Sequence, residues 1–326
     1  MRARARLVTV EAIGVDLGGT KMLVGVVDAE RNVSYRGAAP SIGLGQEELI
    51  ATLERELEAA VDARPGVASI GLGIPCTIDR ERGVAVSAVN LELANVPVRD
   101  LISNRLGLPV ALDNDANAAI LAEHRFGAAR GAENAVMLTV GTGIGGGLVI
   151  GGEVYRGSTG AGAELGHVVI EADGPPCQGN CPNHGCVEAL ASGTAIAREG
   201  LAAAEGAPDS ALGRAVADGA TLDGKEVTDS ALDGDPIAIG VLEKVGRRLG
   251  VALASFANVF DPDVIVIGGG VIKAGDLLLD PARAELADRA LPPMNQTPVA
   301  AAGLGPDAGM IGAATMAMLE LPGETA

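Results

Sequence analysis

Apolar and polar positions alternate in strand-length blocks at the start of the chain. Glu11–Leu17 and Met22–Val27 are apolar runs parted by Gly18-Gly19-Thr20-Lys21, which predicts a β-hairpin. From Gln46 to Ala63 the period lengthens: Leu49, Leu53, Leu57 and Ala60 fall on one helical face. Val67–Ile74 reads as a strand ending at Pro75, and Leu108–Leu112 as another that delivers the chain into Asp113-Asn114-Asp115. Ala116–Phe126 then reads as a helix, with Asp115 near its start, where a carboxylate meets the favourable end of the helix dipole. The pattern recurs at Asn134–Val140 and Gly146–Ile150, a second hairpin turning at Gly141-Thr142-Gly143-Ile144-Gly145. Both halves open as strand, glycine-rich turn, strand, which predicts a duplicated βββαβα-type domain rather than a short-period solenoid. Ala191–Ala220 reads as helical, Pro236–Asn258 as a long helix and Asp263–Ile267 as a buried strand running into Gly268-Gly269-Gly270; Gly309–Leu319 is the last helix. No low-complexity linker parts the halves. The expected organisation is α/β with two domains and a cleft between them: a smaller one over 1–128 joined by the C-terminal segment 306–326, and a larger one over 129–305.

Composition narrows the function classes. The 326 residues are 48% hydrophobic and 20% charged, enough apolar material for a substantial core. Three Phe, two Tyr and no Trp leave little with which to stack single-stranded nucleic acid. A formal net charge of −18 would repel phosphate backbones and anionic lipid surfaces. Met1–Thr9 carries three Arg but no apolar stretch of signal-peptide length, and no window reaches the length of a membrane span. A soluble, cytoplasmic protein with neither nucleic acid nor membrane as partner is expected.

The two glycine turns carry the first chemistry. Asp16-Leu17-Gly18-Gly19-Thr20-Lys21 places an acid at a strand end, then two glycines, a hydroxyl and an ammonium. Glycines let backbone N–H groups approach a polyphosphate, and Asp16 could hold Mg²⁺ through water. A plain hairpin would also use Gly-Gly. Gly141 to Gly147 holds five glycines in seven residues, which is costly for a turn that only turns. It is neither a Walker loop, lacking Gly-Lys-Ser/Thr, nor a dinucleotide fingerprint, since a strand follows it. Two matched turns in two repeats point to a clamp on nucleotide phosphates, with Gly268-Gly269-Gly270 a plausible adenosine site. Between them, Asp113-Asn114-Asp115-Ala116-Asn117 puts two carboxylates and two amides at a strand-to-helix junction. Helix capping accounts for one of them. A carboxylate aimed into a cleft suits the remaining need of phosphoryl transfer, one group to accept the acceptor's proton.

Three of the four cysteines fall in Cys177-Gln178-Gly179-Asn180-Cys181-Pro182-Asn183-His184-Gly185-Cys186, with His167 ten residues upstream of Cys177. Three thiolates and one imidazole make a closed tetrahedral zinc site. His167 and His184 compete for the fourth position, and the residues alone leave both open. Cys76 and His124 read as structural, a buried thiol and an exposed histidine on a helix face.

Together, Asp16-Leu17-Gly18-Gly19-Thr20-Lys21, Gly73-Ile74-Pro75, Asn114-Asp115-Ala116-Asn117, Gly141-Thr142-Gly143-Ile144-Gly145, Glu164-Leu165-Gly166-His167 and the cysteine cluster resemble the ROK family of bacterial sugar kinases and related repressors. The resemblance runs from about residue 11 to 319 and implies the actin-like, ribonuclease H-like fold. It implies Asp115 as catalytic base; Asn90, Asn114, Glu164, His167 and Glu188 as sugar contacts beside Asp115; and Asp16, Gly18, Gly19, Thr20, Lys21, Thr142, Gly143 and Gly269 along the ATP site. It also implies zinc on His167, Cys177, Cys181 and Cys186, and a homodimer or homotetramer. Two departures stand out. The family usually has one residue between the first two zinc cysteines, where this chain has Gln178-Gly179-Asn180, so a reshaped loop is expected. It also commonly has Gly where Cys76 stands; if φ were positive there, Cys would be strained.

The expected activity is therefore phosphorylation of a hexose by Mg-ATP, with glucose favoured and its 6-hydroxyl the acceptor. Fructose, mannose and N-acetylated hexosamines are alternatives that a few hydroxyl contacts would decide. A sugar-responsive repressor is a weaker reading: only fifteen residues precede Asp16, and the charge is strongly negative.

Overall fold

The structure is a computed structural model and describes residues 10–88 and 91–321. It divides into two compact units. The first takes the described residues up to Phe126, then Arg156–Ala161, then those from Asp307 onward; the second takes Gly127–Tyr155 and Gly162–Pro306.

In the first unit the chain runs β1 (Glu11–Leu17), β2 (Lys21–Asp28), β3 (Val33–Pro40), α1 (Gln46–Ala63), β4 (Ser69–Ile74), β5 (Cys76–Asp79), β6 (Val84–Ala88), β7 (Ala94–Val96), α2 (Val98–Leu106), β8 (Val110–Asn114) and α3 (Asp115–Phe126). The main sheet has the order β3-β2-β1-β4-β8. Its β1–β2–β3 pairings are antiparallel, and β1–β4 and β4–β8 are parallel. Alternation explains β3, which is exposed at every second residue, and uniform burial explains β4, whose six residues are all buried. Helix α1 has the bounds its periodicity predicts and buries Leu49, Leu53, Leu57 and Ala60. The last helix, Ala308–Glu320, returns to this unit and lies hard against its main sheet. A Cβ on Gly14 would come within 2.0 Å of Met310 O, and one on Gly71 within 1.8 Å of Ala313 O. Only glycine tolerates that approach, which is why β1 has glycine at 14 and β4 at 71.

The second unit repeats the plan with β9 (Ala135–Val140), β10 (Ile144–Ile150), β11 (Glu153–Val154), α4 (Val187–Ala191), α5 (Gly193–Gly206), α6 (Ala211–Ala217), α7 (Gly224–Leu232), α8 (Pro236–Phe260), β12 (Val264–Gly268), α9 (Asp276–Arg289) and β13 (Val299–Ala301). Its sheet order is β11-β10-β9-β12-β13, with β9–β10 antiparallel and β9–β12–β13 parallel. Position for position this matches the first sheet, so the duplication is a duplication of topology, and this repeated order is that of the actin-like, ribonuclease H-like fold. Helix α8 starts on the Asp235 side chain, which accepts from Ile237 N at 2.7 Å, with Pro236 at its first position. It buries Leu242, Val245, Leu249 and Leu253 in this unit's core.

Three elements differ from the sequence reading. Ala191–Ala220 is not one helical stretch but α4, α5 and α6, broken at Ser192 and around Pro208. The chain beyond Pro75 does not leave strand structure but forms the small antiparallel sheet β5-β6-β7. Arg156–Ala161 belongs to the first unit although it lies within the sequence of the second half. Among the described residues no helix is long and apolar enough to cross a membrane.

Candidate functional site

The first glycine turn joins β1 to β2. Gly18 N donates to Lys21 O at 3.0 Å, closing it. Ser41, buried at the end of β3, fixes it from outside: its Oγ donates to Gly18 O at 2.6 Å and its N to Thr20 O at 3.1 Å. Gly19 is half-buried, and Thr20 and Lys21 are exposed. Asp16 precedes the turn, its carboxylate against the first turn of the last helix, where a Cβ on Gly309 would come within 2.6 Å of Asp16 Oδ2. Burial pushes the Asp16 carboxyl up to about 7; the Asp115 carboxylate adds to the rise and the Lys21 ammonium opposes it. Asp16 and Asp115 therefore share one electrostatic environment, one at the carboxyl end of β1 and the other just past β8.

The acidic run divides its labour. Asn114 Oδ1 accepts from Ala116 N at 2.9 Å and caps α3. Asp113, 1% exposed, holds the junction. Its Oδ1 accepts from Asn114 N at 2.8 Å and from Asn117 Nδ2 at 2.9 Å, and its Oδ2 accepts from Arg156 Nε at 2.6 Å. Arg80 and Glu320 complete this network. Asp115, half-buried, opens the first turn of α3. Arg156 escaped the sequence reading because a contact across forty-three residues leaves no local signature. Cys76 is buried near Asp115, its thiol pushed up to about 12 by burial and then by that carboxylate. It opens β5 and is not among the residues with positive φ, so Cys is unstrained where Gly was expected. His124 is half-buried, not exposed: α3 buries eight residues and leaves a narrow outer face. Asn90 lies outside the described residues.

In the second unit the glycine turn joins β9 to β10. It packs closely on Glu188: Oε2 accepts from Ile144 N at 2.7 Å, and a Cβ on Gly143 would come within 2.3 Å of that oxygen. Gly269, at φ +86°, lies against the carbonyl of Val140 at the start of the same turn, so Thr142, Gly143 and Gly269 come together. The glycines at 143 and 146 are explained by lack of room, with a Cβ on Gly146 only 2.2 Å from Ala163 O; neither has positive φ.

Glu188 also faces the cysteines, its Oε1 3.7 Å from Cys177 Sγ. His167, Cys177, Cys181 and Cys186 each bring one ligand atom within 4.8 Å of the others. The Cys177 Sγ–His167 Nδ1 distance is 3.5 Å and the Cys181–Cys186 sulfur separation 4.0 Å. A tetrahedral zinc with ordinary bond lengths has ligand–ligand edges of about 3.5–3.8 Å, so the donor set fits that ion. His184 is not in this group; its Nδ1 lies 3.3 Å from Gly174 O. Glu164, exposed, follows Ala163 in the left-handed region at φ +66° and precedes His167 by three residues.

Phosphoryl transfer to an alcohol calls for amide-lined turns for phosphates, an acid for a hydrated cation and a second acid to take a proton, and each unit supplies residues of these types. The comparison with known proteins agrees. The glucokinases of Streptomyces coelicolor and Thermotoga maritima are each 38% identical, over 94% and 93% of this chain and 96% of their own lengths. The crystal structure of a ROK family glucokinase from Streptomyces griseus, in complex with glucose and AMPPNP, matches with a TM-score of 0.85 and 35% identity, covering 94% of this chain and 98% of that one. The ROK family model matches residues 12–320, and the chain belongs to the ROK family.

Proposed function

We propose that the chain transfers the γ-phosphoryl group of Mg-ATP to the 6-hydroxyl of glucose. It is an ATP-dependent sugar kinase, and the observation that carries the reading is the Asp16–Asp115 pair: two carboxylates close enough that Asp115 adds to the rise at Asp16, at the ends of parallel-connected strands. Asp115 accepts the hydroxyl proton as the oxygen attacks. Asn114, whose Oδ1 is held by the α3 cap, offers its Nδ2 to a sugar hydroxyl. Glu164, His167 and Glu188 supply the other sugar contacts, Glu188 with the oxygen that Ile144 N does not use. Gly18, Gly19, Thr20, Lys21, Thr142, Gly143 and Gly269 would hold the nucleotide, and Asp16 would hold Mg²⁺. When bound, that ion supplies charge neutralisation on the phosphates.

Glucose is favoured because the glucokinases of Streptomyces coelicolor and Thermotoga maritima match nearly end to end, as does the Streptomyces griseus glucokinase in complex with glucose. Steady-state kinetics on a hexose panel test this. Glucose should give the highest kcat/KM, by about tenfold or more over mannose, fructose and N-acetylglucosamine, the scale set by a few hydroxyl contacts. Another hexose at the top would reassign the substrate, and ADP formation with none of them would remove the kinase reading.

His167, Cys177, Cys181 and Cys186 would hold zinc as a crosslink of the loop, without a role in bond making. Chelation of zinc-loaded protein should lower Tm by about 5–10 °C, recovered on adding zinc back. An unchanged calorimetric trace after proven metal loss would contradict that role.

A further inference from the structure

The residues between Cys177 and Cys181 do more than lengthen the loop. Cys181 N donates to Gln178 O at 3.4 Å and Gly179 sits at φ +58°, so the extra residues form a tight turn with the Gln178 side chain carried on it. Gln178 is half-buried, and its Nε2 lies 3.3 Å from Thr142 O and 3.1 Å from Ser192 Oγ. Ser192, fully buried, is itself the N-cap of α5 and accepts from Ala195 N at 3.3 Å. A second donor meets the same carbonyl: Thr194 Oγ1 reaches Thr142 O at 2.9 Å.

Peptide planarity turns this into a consequence for the glycine turn. In a trans peptide the C=O and the following N–H point in opposite directions. Fixing Thr142 O on Gln178 and Thr194 therefore fixes the direction of Gly143 N–H. The next amide, Ile144 N, is fixed separately by Glu188. Without these anchors, a turn this rich in glycine would sample many peptide orientations, and ordering it would cost affinity at the moment of binding.

We propose that Gln178 is a positioning residue for the nucleotide: held between two zinc ligands, it orients the Thr142–Gly143 peptide for the phosphates. The inference rests on the kinase reading above and deepens it by tying the metal loop to the nucleotide rather than to the sugar alone. The donor must be an amide N–H, so a carboxylate at 178 cannot replace it.

The test is isothermal titration of the zinc-loaded full chain with Mg-ATP and, separately, with glucose. Gln178→Ala and Gln178→Glu should each raise the Kd for Mg-ATP about tenfold, the worth of one or two neutral hydrogen bonds, and KM for ATP should follow. The Kd for glucose and the zinc content should stay at the wild-type values. Thr194→Val removes the other donor from outside the cysteine loop and should raise the Mg-ATP Kd in the same direction; it keeps the test decisive if a Gln178 variant loses metal. Unchanged Mg-ATP binding in Thr194→Val and in metal-replete Gln178→Ala overturns the proposal, and so does equal weakening of glucose and Mg-ATP. Wild-type protein that binds no Mg-ATP would instead sink the kinase reading itself.

Discussion

Asp115→Asn is expected to lower kcat by about 10³-fold, within the range that a positioned general base contributes, while the Kd for glucose changes little. The amide has the size and hydrogen-bonding reach of the carboxylate but cannot accept the proton of the attacking hydroxyl. The flanking groups should keep the sugar pocket intact, because the cap made by Asn114 and the clamp of Arg156 on Asp113 are made by their own side chains. The split is therefore the diagnostic: rapid-quench turnover collapses and equilibrium glucose binding persists. Turnover within about tenfold of wild type would remove Asp115 from the base role, since a base removed from its step costs at least about 10².

Asp16→Asn should make the ligand-free protein more stable while abolishing its Mg-ATP-dependent activity. In the folded chain Asp16 holds its proton up to about 7, against 3.8 for an unperturbed aspartate. Between those values the folded state binds the proton that the unfolded state has lost. Stability is thus greatest below the unfolded pKa and falls as pH rises through 7. At pH 8 the full cost of holding a buried anion beside Asp115 is present, on the order of 4 kcal/mol for a shift of this size. Asn never ionises and escapes that cost. Denaturant titrations should show the variant more stable by about 4 kcal/mol at pH 8, with the gap closing below about pH 4. A variant no more stable than wild type at pH 8 would mean the folded protein solvates the Asp16 anion well. The physical point is that a carboxylate arranged to meet a cation is a burden without one.

Much of this was legible in the sequence because it is local. The period of Leu49, Leu53, Leu57 and Ala60 gave helix α1 its bounds, and the apolar runs around Gly18-Gly19 gave the first hairpin. The strand into Asp113-Asn114-Asp115 and the cysteine spacing were equally local. What escaped is non-local. The β5-β6-β7 sheet consists of strands of three to five residues that only pairing with one another makes strands. Asp113 reads as one more polar residue of a cap until Arg156 arrives from another part of the chain. In the sequence Gln178 is one of three residues that reshape the cysteine loop, and only the return of the chain at α5 shows what its amide meets. The glycine-rich turn reads as phosphate-driven from the sequence, yet at Gly143 and Gly146 the first demand is room for Glu188 and the Ala163 carbonyl. Those close approaches are invisible one residue at a time.

The proposed function stands on one step, transfer of phosphate from ATP to a sugar alcohol with Asp115 as the base. Phosphorus NMR of wild-type protein with Mg-ATP and glucose measures it directly. The γ-phosphate signal should be replaced by that of a phosphate ester on the sugar's 6-position, in step with ADP, only when glucose is present, and not in Asp115→Asn. Release of inorganic phosphate without a sugar ester, or ester formed by Asp115→Asn at the wild-type rate, would contradict the account.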